Sequence, residues 1–260
     1  MPAPLFMLHG MFGRGDGLYW ANYRKRFEAE GYRCVTPTLR YHDVDPTAAP
    51  DPRLGTTSLL DYVDDLEREI RALGDLPVII GHSMGGLLGQ MLASRGLARA
   101  LVLLTPASPA GIMITAPSVM KTFASVQFRW GFWKNPMRFT FKEAVYGVLD
   151  RVPTRTEQQA LYDEFVFESG RAFFEIGHWM FDRRRASRVT TATVTCPTLI
   201  VGAEDDRITP VSIVRKVASK YAGVATYREY PGHAHWVLGQ PRWEEIAGDV
   251  LDWIRRHEAA

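Results

Sequence analysis

The sequence predicts an α/β fold, with a mainly parallel sheet of about six strands flanked by helices and one helical insertion. Three observations carry this. Short β-like runs alternate with helical stretches along most of the chain, the central runs are continuously apolar, and the alternation stops once, between about residues 110 and 189. The 260 residues are 46% hydrophobic and 23% charged, an ordinary globular balance with ample length for a large buried core.

The first strand is Leu5–His9, followed by a glycine-rich loop, a helix over Trp20–Glu30 and a second strand over Arg33–Pro37. Thr57–Leu73 reads as a helix because Leu59, Leu60, Val63, Leu66, Ile70 and Leu73 recur at helical spacing with acids and arginines between them. Pro77–Gly81 and Leu101–Thr105 are strands around a helix over Met84–Arg95. Their segments VII and LVLL, like TLIV in Thr198–Gly202, have the unbroken apolarity of strands covered on both faces. A helix over Val211–Tyr221, a strand over Ala225–Tyr230 and a helix over Trp243–Arg256 complete the pattern.

The interruption is rich in Phe, Trp, Met and Arg, too long and too apolar for a loop. Helices are expected at Lys142–Leu149, Glu157–Glu168 and Arg171–Asp182. The chain thus divides into a core, residues 1–109 and 190–260, and an insertion, residues 110–189, after the fourth strand. The insertion is expected to cover the C-terminal edge of the sheet, where open α/β sheets bind ligands.

A formal net charge of +2 is too weak to suggest nucleic acid or an anionic membrane as partner. The one dense basic run, Arg183, Arg184, Arg185 and Arg188, reads as a solvated surface segment. The N-terminus MPAPLFMLHG lacks the basic and long apolar regions of a signal peptide. The apolar run Ala100–Pro117 is broken by Pro106 and Pro109 and reads as strand plus loop, not a span. The expectation is a cytoplasmic protein. Cys34 and Cys196 each open a strand and are expected as buried free thiols.

Chemistry concentrates in four loops. Gly81-His82-Ser83-Met84-Gly85 fits G-x-S-x-G between a buried strand and a helix. Such a turn strains the serine and exposes its hydroxyl at a helix N-terminus, where the dipole and a free N–H favour negative charge. A serine hydroxyl needs a base. Of seven histidines, His233 and His235 follow the last strand, where a loop can bring an imidazole over the serine. The base needs an acceptor, and Glu204, Asp205 and Asp206 follow the fifth strand. Pro210 starts the next helix too late for Asp205 or Asp206 to cap it. After the first strand, His9-Gly10-Met11-Phe12-Gly13 can aim the Met11 N–H at the serine, forming an oxyanion hole with the Met84 N–H.

Two other chemistries fit the residues poorly. The glycines from Gly10 to Gly17 fail both nucleotide patterns: a dinucleotide loop needs glycine where Leu18 or Trp20 stands, and a P-loop needs lysine where Asp16 stands. His233 and His235 could ligate a metal, but no third ligand follows at short spacing.

Taken together, HGMFG, GHSMGG, GAEDDRITP and GHAHW, in that order and spanning nearly the whole chain, resemble the α/β-hydrolase superfamily. The resemblance implies an eight-stranded core with an inserted cap and a Ser-acid-His triad. Here the run before His9-Gly10 is the first strand, so about six strands are expected. Proline four residues after the acid selects Asp206, and the aromatic after the histidine selects His235. The implied site is Ser83, Asp206 and His235 with the Met11 and Met84 amides, and no cofactor or metal. Phe123, Phe128, Trp130, Phe132, Trp133, Phe173, Phe174 and Trp179 would form the cap's own core and an apolar pocket. The expected activity is hydrolysis of small or medium apolar carboxylic esters through an acyl-enzyme. The rivals are a same-fold ligand-binding receptor with little turnover, and a lyase or cofactor-free oxygenase using the same residues.

Overall fold

The structure, a computed structural model, describes residues 2–258. The core begins with β1 Leu5–Leu8, α1 Ala21–Ala29, β2 Cys34–Val35, α2 Leu59–Ala72, β3 Val78–His82, α3 Met84–Ser94 and β4 Ala100–Leu104. The insertion holds α4 Pro117–Thr122, α5 Ala124–Gln127, β5 Pro136–Met137, α6 Phe141–Gly147, α7 Arg155–Asp163, β6 Glu168–Ser169 and α8 Gly170–Gly177. The chain returns to the core through β7 Thr198–Ala203, α9 Val211–Ser219, β8 Ala225–Tyr230 and α10 Trp243–Glu258.

Six strands form one parallel sheet in the order β2-β1-β3-β4-β7-β8. β1, β3, β4 and β7 are buried at every position, which explains their unbroken apolar runs. Alternate side chains face opposite layers. Leu5, Met7 and Ile80 pack with Tyr23 and Phe27 of α1 and Ile246 and Val250 of α10. Phe6, Leu8 and Ile79 pack with Val63 of α2, Leu88 of α3 and Val214 of α9. The strand order reverses between β1 and β3, so a ligand crevice is expected beyond the C-terminal ends of those two strands.

The insertion departs from the purely helical expectation. β5 and β6 pair as a two-stranded antiparallel ribbon, and α7 stops at Asp163 rather than Glu168. The reason is tertiary. Phe165 and Val166 are buried, and the Val166 N–H donates to the Phe12 carbonyl at 3.0 Å, so the segment must be extended. Likewise α8 ends at Gly177 and a single 3₁₀ turn follows over Trp179–Phe181. Cys34 and Cys196 are free but only half-buried, because Cys34 lies on the two-residue edge strand and Cys196 precedes β7 instead of opening it.

Two buried carboxylates tie the insertion to the core. Glu168 accepts from the Tyr62 hydroxyl at 2.7 Å and lies 3.2 Å from His42 Nε2. Glu175 accepts from Ser58 Oγ at 2.8 Å and from the Leu59 N–H at 2.8 Å, covering the N-terminus of α2. Burial alone would lower the His42 imidazole; the Glu168 carboxylate beside it outweighs that and holds it above its ordinary value. Glu168 is the mirror case. Burial would raise it, but His42 and the bonds it accepts hold it below the usual carboxylate range.

Candidate active site

β3 ends in a tight turn into α3. Ser83 has φ 55° and ψ −120°, a conformation that costs a non-glycine residue on the order of 1–3 kcal/mol. Two glycines make it sterically possible. A Cβ on Gly81 would meet the Gly85 carbonyl oxygen at 2.3 Å, and one on Gly85 would meet the Leu8 carbonyl oxygen at 2.2 Å. The serine therefore enters α3 as its N-cap while its own side chain caps nothing.

Beyond β7, Asp206 is built into a turn that uses its carboxylate fully. Oδ1 accepts the N–H groups of Ile208 at 2.7 Å and Thr209 at 2.8 Å. Oδ2 accepts the Thr209 hydroxyl at 2.7 Å and His235 Nδ1 at 2.8 Å. Burial would raise this carboxyl, but His235 and the donated hydrogen bonds together hold it below its ordinary value. With Nδ1–H donating to a carboxylate, Nε2 of His235 is the basic nitrogen of the neutral ring. It makes no hydrogen bond among the described residues. Asp205 points elsewhere, to a partly exposed ion pair with Arg151, and Glu204 is exposed.

His233 also has another task. Gln240 Nε2 donates to its Nδ1 at 2.6 Å, while Gln240 Oε1 accepts the Ala234 N–H at 3.1 Å. The two bonds pin the loop that carries His235. His233 is absent from the cavity wall, whereas Ser83 and His235 both line it. Ser83 Oγ makes no hydrogen bond to His235 in this structure; contacts of this kind commonly tighten only with substrate bound.

The sequence gives no sign of one further assembly. The Gly10 N–H donates to the Tyr19 hydroxyl at 2.7 Å. That hydroxyl lies 2.6 Å from His82 Nδ1, and His82 Nε2 lies 2.9 Å from the His235 carbonyl oxygen. The directions are forced. A carbonyl only accepts, so His82 carries its proton on Nε2, and Nδ1 accepts the hydrogen bond donated by the Tyr19 hydroxyl. Burial and the neighbouring His235 push His82 down to about 3, so it stays neutral. The chain joins the loop after β1, the serine turn and the His235 loop with every member buried. His82 was visible inside the motif but without a role, and Tyr19 stands in a loop with no pattern at all.

These loops form the floor of a cavity of about 270 Å³. Met11, Met84, Ile208 and Trp236 line it from the core. Phe123, Phe139, Val148, Phe165 and Phe173 line it from the insertion. Of the aromatic residues singled out in the insertion, Phe123 and Phe173 thus face the cavity and Phe132 is buried in the insertion. Phe128 and Trp130 do neither, being 82% and 89% exposed. The Met11 and Met84 N–H groups make no hydrogen bond to another protein group among the described residues. No cluster of residues suited to hold a metal ion occurs among the described residues, and no helix there is long and apolar enough to cross a membrane.

The arrangement provides a strained, partly exposed hydroxyl at a helix N-terminus, an imidazole held in one tautomer by a carboxylate, and an apolar chamber above them. Comparison with known proteins agrees with this fold. A sequence model of the alpha/beta hydrolase family matches residues 5–248. The monoacylglycerol lipase of Mycolicibacterium smegmatis is 26% identical over 216 residues, 79% of this chain and 73% of that protein. The crystal structure of the monoacylglycerol lipase of Paleococcus ferrophilus superimposes with a TM-score of 0.68 at 19% identity, over 98% of this chain and 96% of that one. A pyrethroid hydrolase from Sphingobium faniae gives 0.70 at 16% identity, covering 98% of each chain. A methylesterase from Arabidopsis gives 0.69 at 11% identity, over 97% and 99%.

Proposed function

This chain belongs to the alpha/beta hydrolase family, and from that premise we propose that it is a serine hydrolase acting on carboxylic esters with small or medium apolar acyl groups. The observation that carries the reading is the buried 2.8 Å His235–Asp206 bond on the wall of the cavity that Ser83 also lines. Both relatives named as monoacylglycerol lipases and the one named as a methylesterase agree with ester chemistry.

In this mechanism, His235 Nε2 takes the Ser83 proton as Oγ attacks the ester carbonyl. Asp206 holds the imidazole in its tautomer and stabilises the imidazolium that forms. The Met11 and Met84 amides receive the oxyanion; removing one donor of such a pair typically costs about 10²–10³-fold in kcat. Collapse of the tetrahedral intermediate breaks the C–O bond, and His235 returns its proton to the leaving alcohol. Water, deprotonated by His235, then attacks the acyl-Ser83 ester and releases the acid. Tyr19 and His82 are positioning residues, acting through the backbone of Gly10 and His235. Residues 110–189 serve as a cap whose aromatic lining selects the acyl group.

Ser83→Ala tests the reading. Hydrolysis of p-nitrophenyl butyrate should fall by at least about 10⁴-fold, with an unchanged thermal transition. Turnover retained in a folded Ser83→Ala protein would overturn it.

A further inference from the structure

Among the described residues, eight large apolar side chains are exposed, and six of them lie in the insertion: Met113, Met120, Phe128, Trp130, Met180 and Phe181. Their positions are not scattered. Each is, or lies within three residues of, one of the partly exposed residues that line the cavity, namely Ile114, Met120, Gln127 and His178. Rings connect the two main segments. Trp130 meets Trp133 edge-on at 5.2 Å, Trp133 lies 6.0 Å from Phe174, and Phe174 stacks on His178 at 5.4 Å. Phe128 stands next to the lining residue Gln127 and two positions from Trp130, and Phe181 stands three positions from the lining residue His178. With Trp130, at 82%, 70% and 89% exposure respectively for Phe128, Phe181 and Trp130, they form an exposed aromatic collar on the segments that line the cavity. Exposed large apolar side chains gathered on the segments that line a cavity mark an interaction site.

The charge around the collar states what it meets. Residues 110–189 hold twelve Lys and Arg against eight Asp and Glu, while the rest of the chain holds nineteen against twenty-one. Three of those eight acids, Glu168, Glu175 and Asp182, are buried. Arg129, Arg183, Arg184, Arg185 and Arg188 are exposed and make no ion pair among the described residues. Elsewhere on the surface arginines pair readily, as Arg40 does with Asp65 and Arg215 with Glu229. The whole-chain charge of +2 conceals this segregation.

We infer that the collar is a docking surface for an anionic lipid–water interface: Phe128, Trp130 and Phe181 enter the headgroup region, and the unpaired arginines meet the lipid phosphates. Trp130 settles at that depth because its ring is apolar while its indole N–H keeps a polar partner, and the Phe128 and Phe181 rings add apolar area that enters with it. Docking would open the cavity toward the lipid, so that an ester with an apolar acyl chain passes into it without crossing bulk water. Only this last consequence rests on the proposed hydrolase activity; the docking itself does not.

The test uses the full-length Ser83→Ala protein, so that binding is read without turnover and fails separately from the hydrolase reading. Sedimentation is measured with phosphatidylcholine vesicles and with vesicles that also contain phosphatidylglycerol. The protein should partition onto the anionic vesicles and be released by salt. R183Q/R184Q/R185Q should lower that partitioning by on the order of a hundredfold, at about fivefold per arginine. F128S/W130S should lower it at least about tenfold, with an unchanged melting transition. In the active protein the same F128S/W130S pair should keep its rate on p-nitrophenyl acetate and lose rate on a vesicle-borne ester. Absence of vesicle binding, or binding that F128S/W130S leaves intact, would overturn the inference. So would a concentration-dependent dimer, seen by light scattering, that F128S/W130S abolishes, because the occupant of the collar would then be a second copy of the chain.

Discussion

Tyr19→Phe removes one oxygen and breaks two buried hydrogen bonds. The Gly10 N–H and His82 Nδ1 lose their partner, which stands at 2.7 Å and 2.6 Å respectively. A buried polar group left unpaired costs roughly 1–3 kcal/mol, so the variant should be less stable by about 2–6 kcal/mol. The ring itself stays, with its edge-on packing against Trp236 at 5.1 Å. The hydroxyl is already committed to Gly10 and His82, so substrate loses no contact and KM should barely change. The rate should change, because Gly10 precedes the Met11 amide and His82 holds the carbonyl of His235. Looseness of this kind in catalytic groups can cost about 10–100-fold in kcat. Steady-state kinetics on p-nitrophenyl butyrate and urea unfolding measure the two effects separately. His82→Gln, which keeps a donor and an acceptor, should retain more activity than His82→Leu. A Tyr19→Phe protein with wild-type kcat would refute the coupling of the three loops, and a large rise in KM alone would reassign Tyr19 to substrate binding.

Three further outcomes follow from the site and the insertion. Asp206→Asn should lower kcat by about 10⁴-fold through the wrong imidazole tautomer, whereas Asp205→Asn, which loses only a partly exposed pair with Arg151, should leave kcat near wild type. His235→Ala should abolish p-nitrophenyl ester turnover, and His233→Ala should act mainly on stability, since it disconnects Gln240 from the loop. Glu168→Gln breaks a buried pair and should cost about 3–5 kcal/mol of stability. His42 sits above its ordinary value of 6.5, so its share of that stability is present below about pH 6.5 and is lost as pH rises through its folded value. Glu168 sits below 4.5, so its share is present above about pH 4.5 and lost as pH falls through its folded value. The stability gap between wild type and Glu168→Gln should therefore narrow as pH rises above about 6.5 in chemical denaturation.

What was legible in the sequence was whatever local chemistry fixes. VII, LVLL and TLIV are strands buried on both faces, and burial of that kind leaves no polar positions to blur the reading. The glycines around Ser83 were legible because backbone atoms fill the space a Cβ would need. The insertion was less legible because its elements answer to distant partners. Val166 is extended to meet Phe12, and Glu168 to meet Tyr62 and His42, although the local pattern Glu157–Glu168 suits a helix. Tyr19 was invisible for the same reason: its value lies in three loops that are close only in the folded chain. Even the choice of Asp206 over Asp205 needed a family pattern, since both stand after one strand and only the fold turns one carboxylate toward His235 and the other toward Arg151.

The proposed mechanism stands on Ser83 as a nucleophile activated by the His235–Asp206 pair. Treatment with a fluorophosphonate probe followed by peptide mass mapping tests it most directly. One phosphonyl adduct is expected, on the peptide carrying Ser83, absent in His235→Ala and formed in step with loss of ester turnover. Full ester turnover with Ser83 unlabelled, or an adduct on another residue, would contradict it.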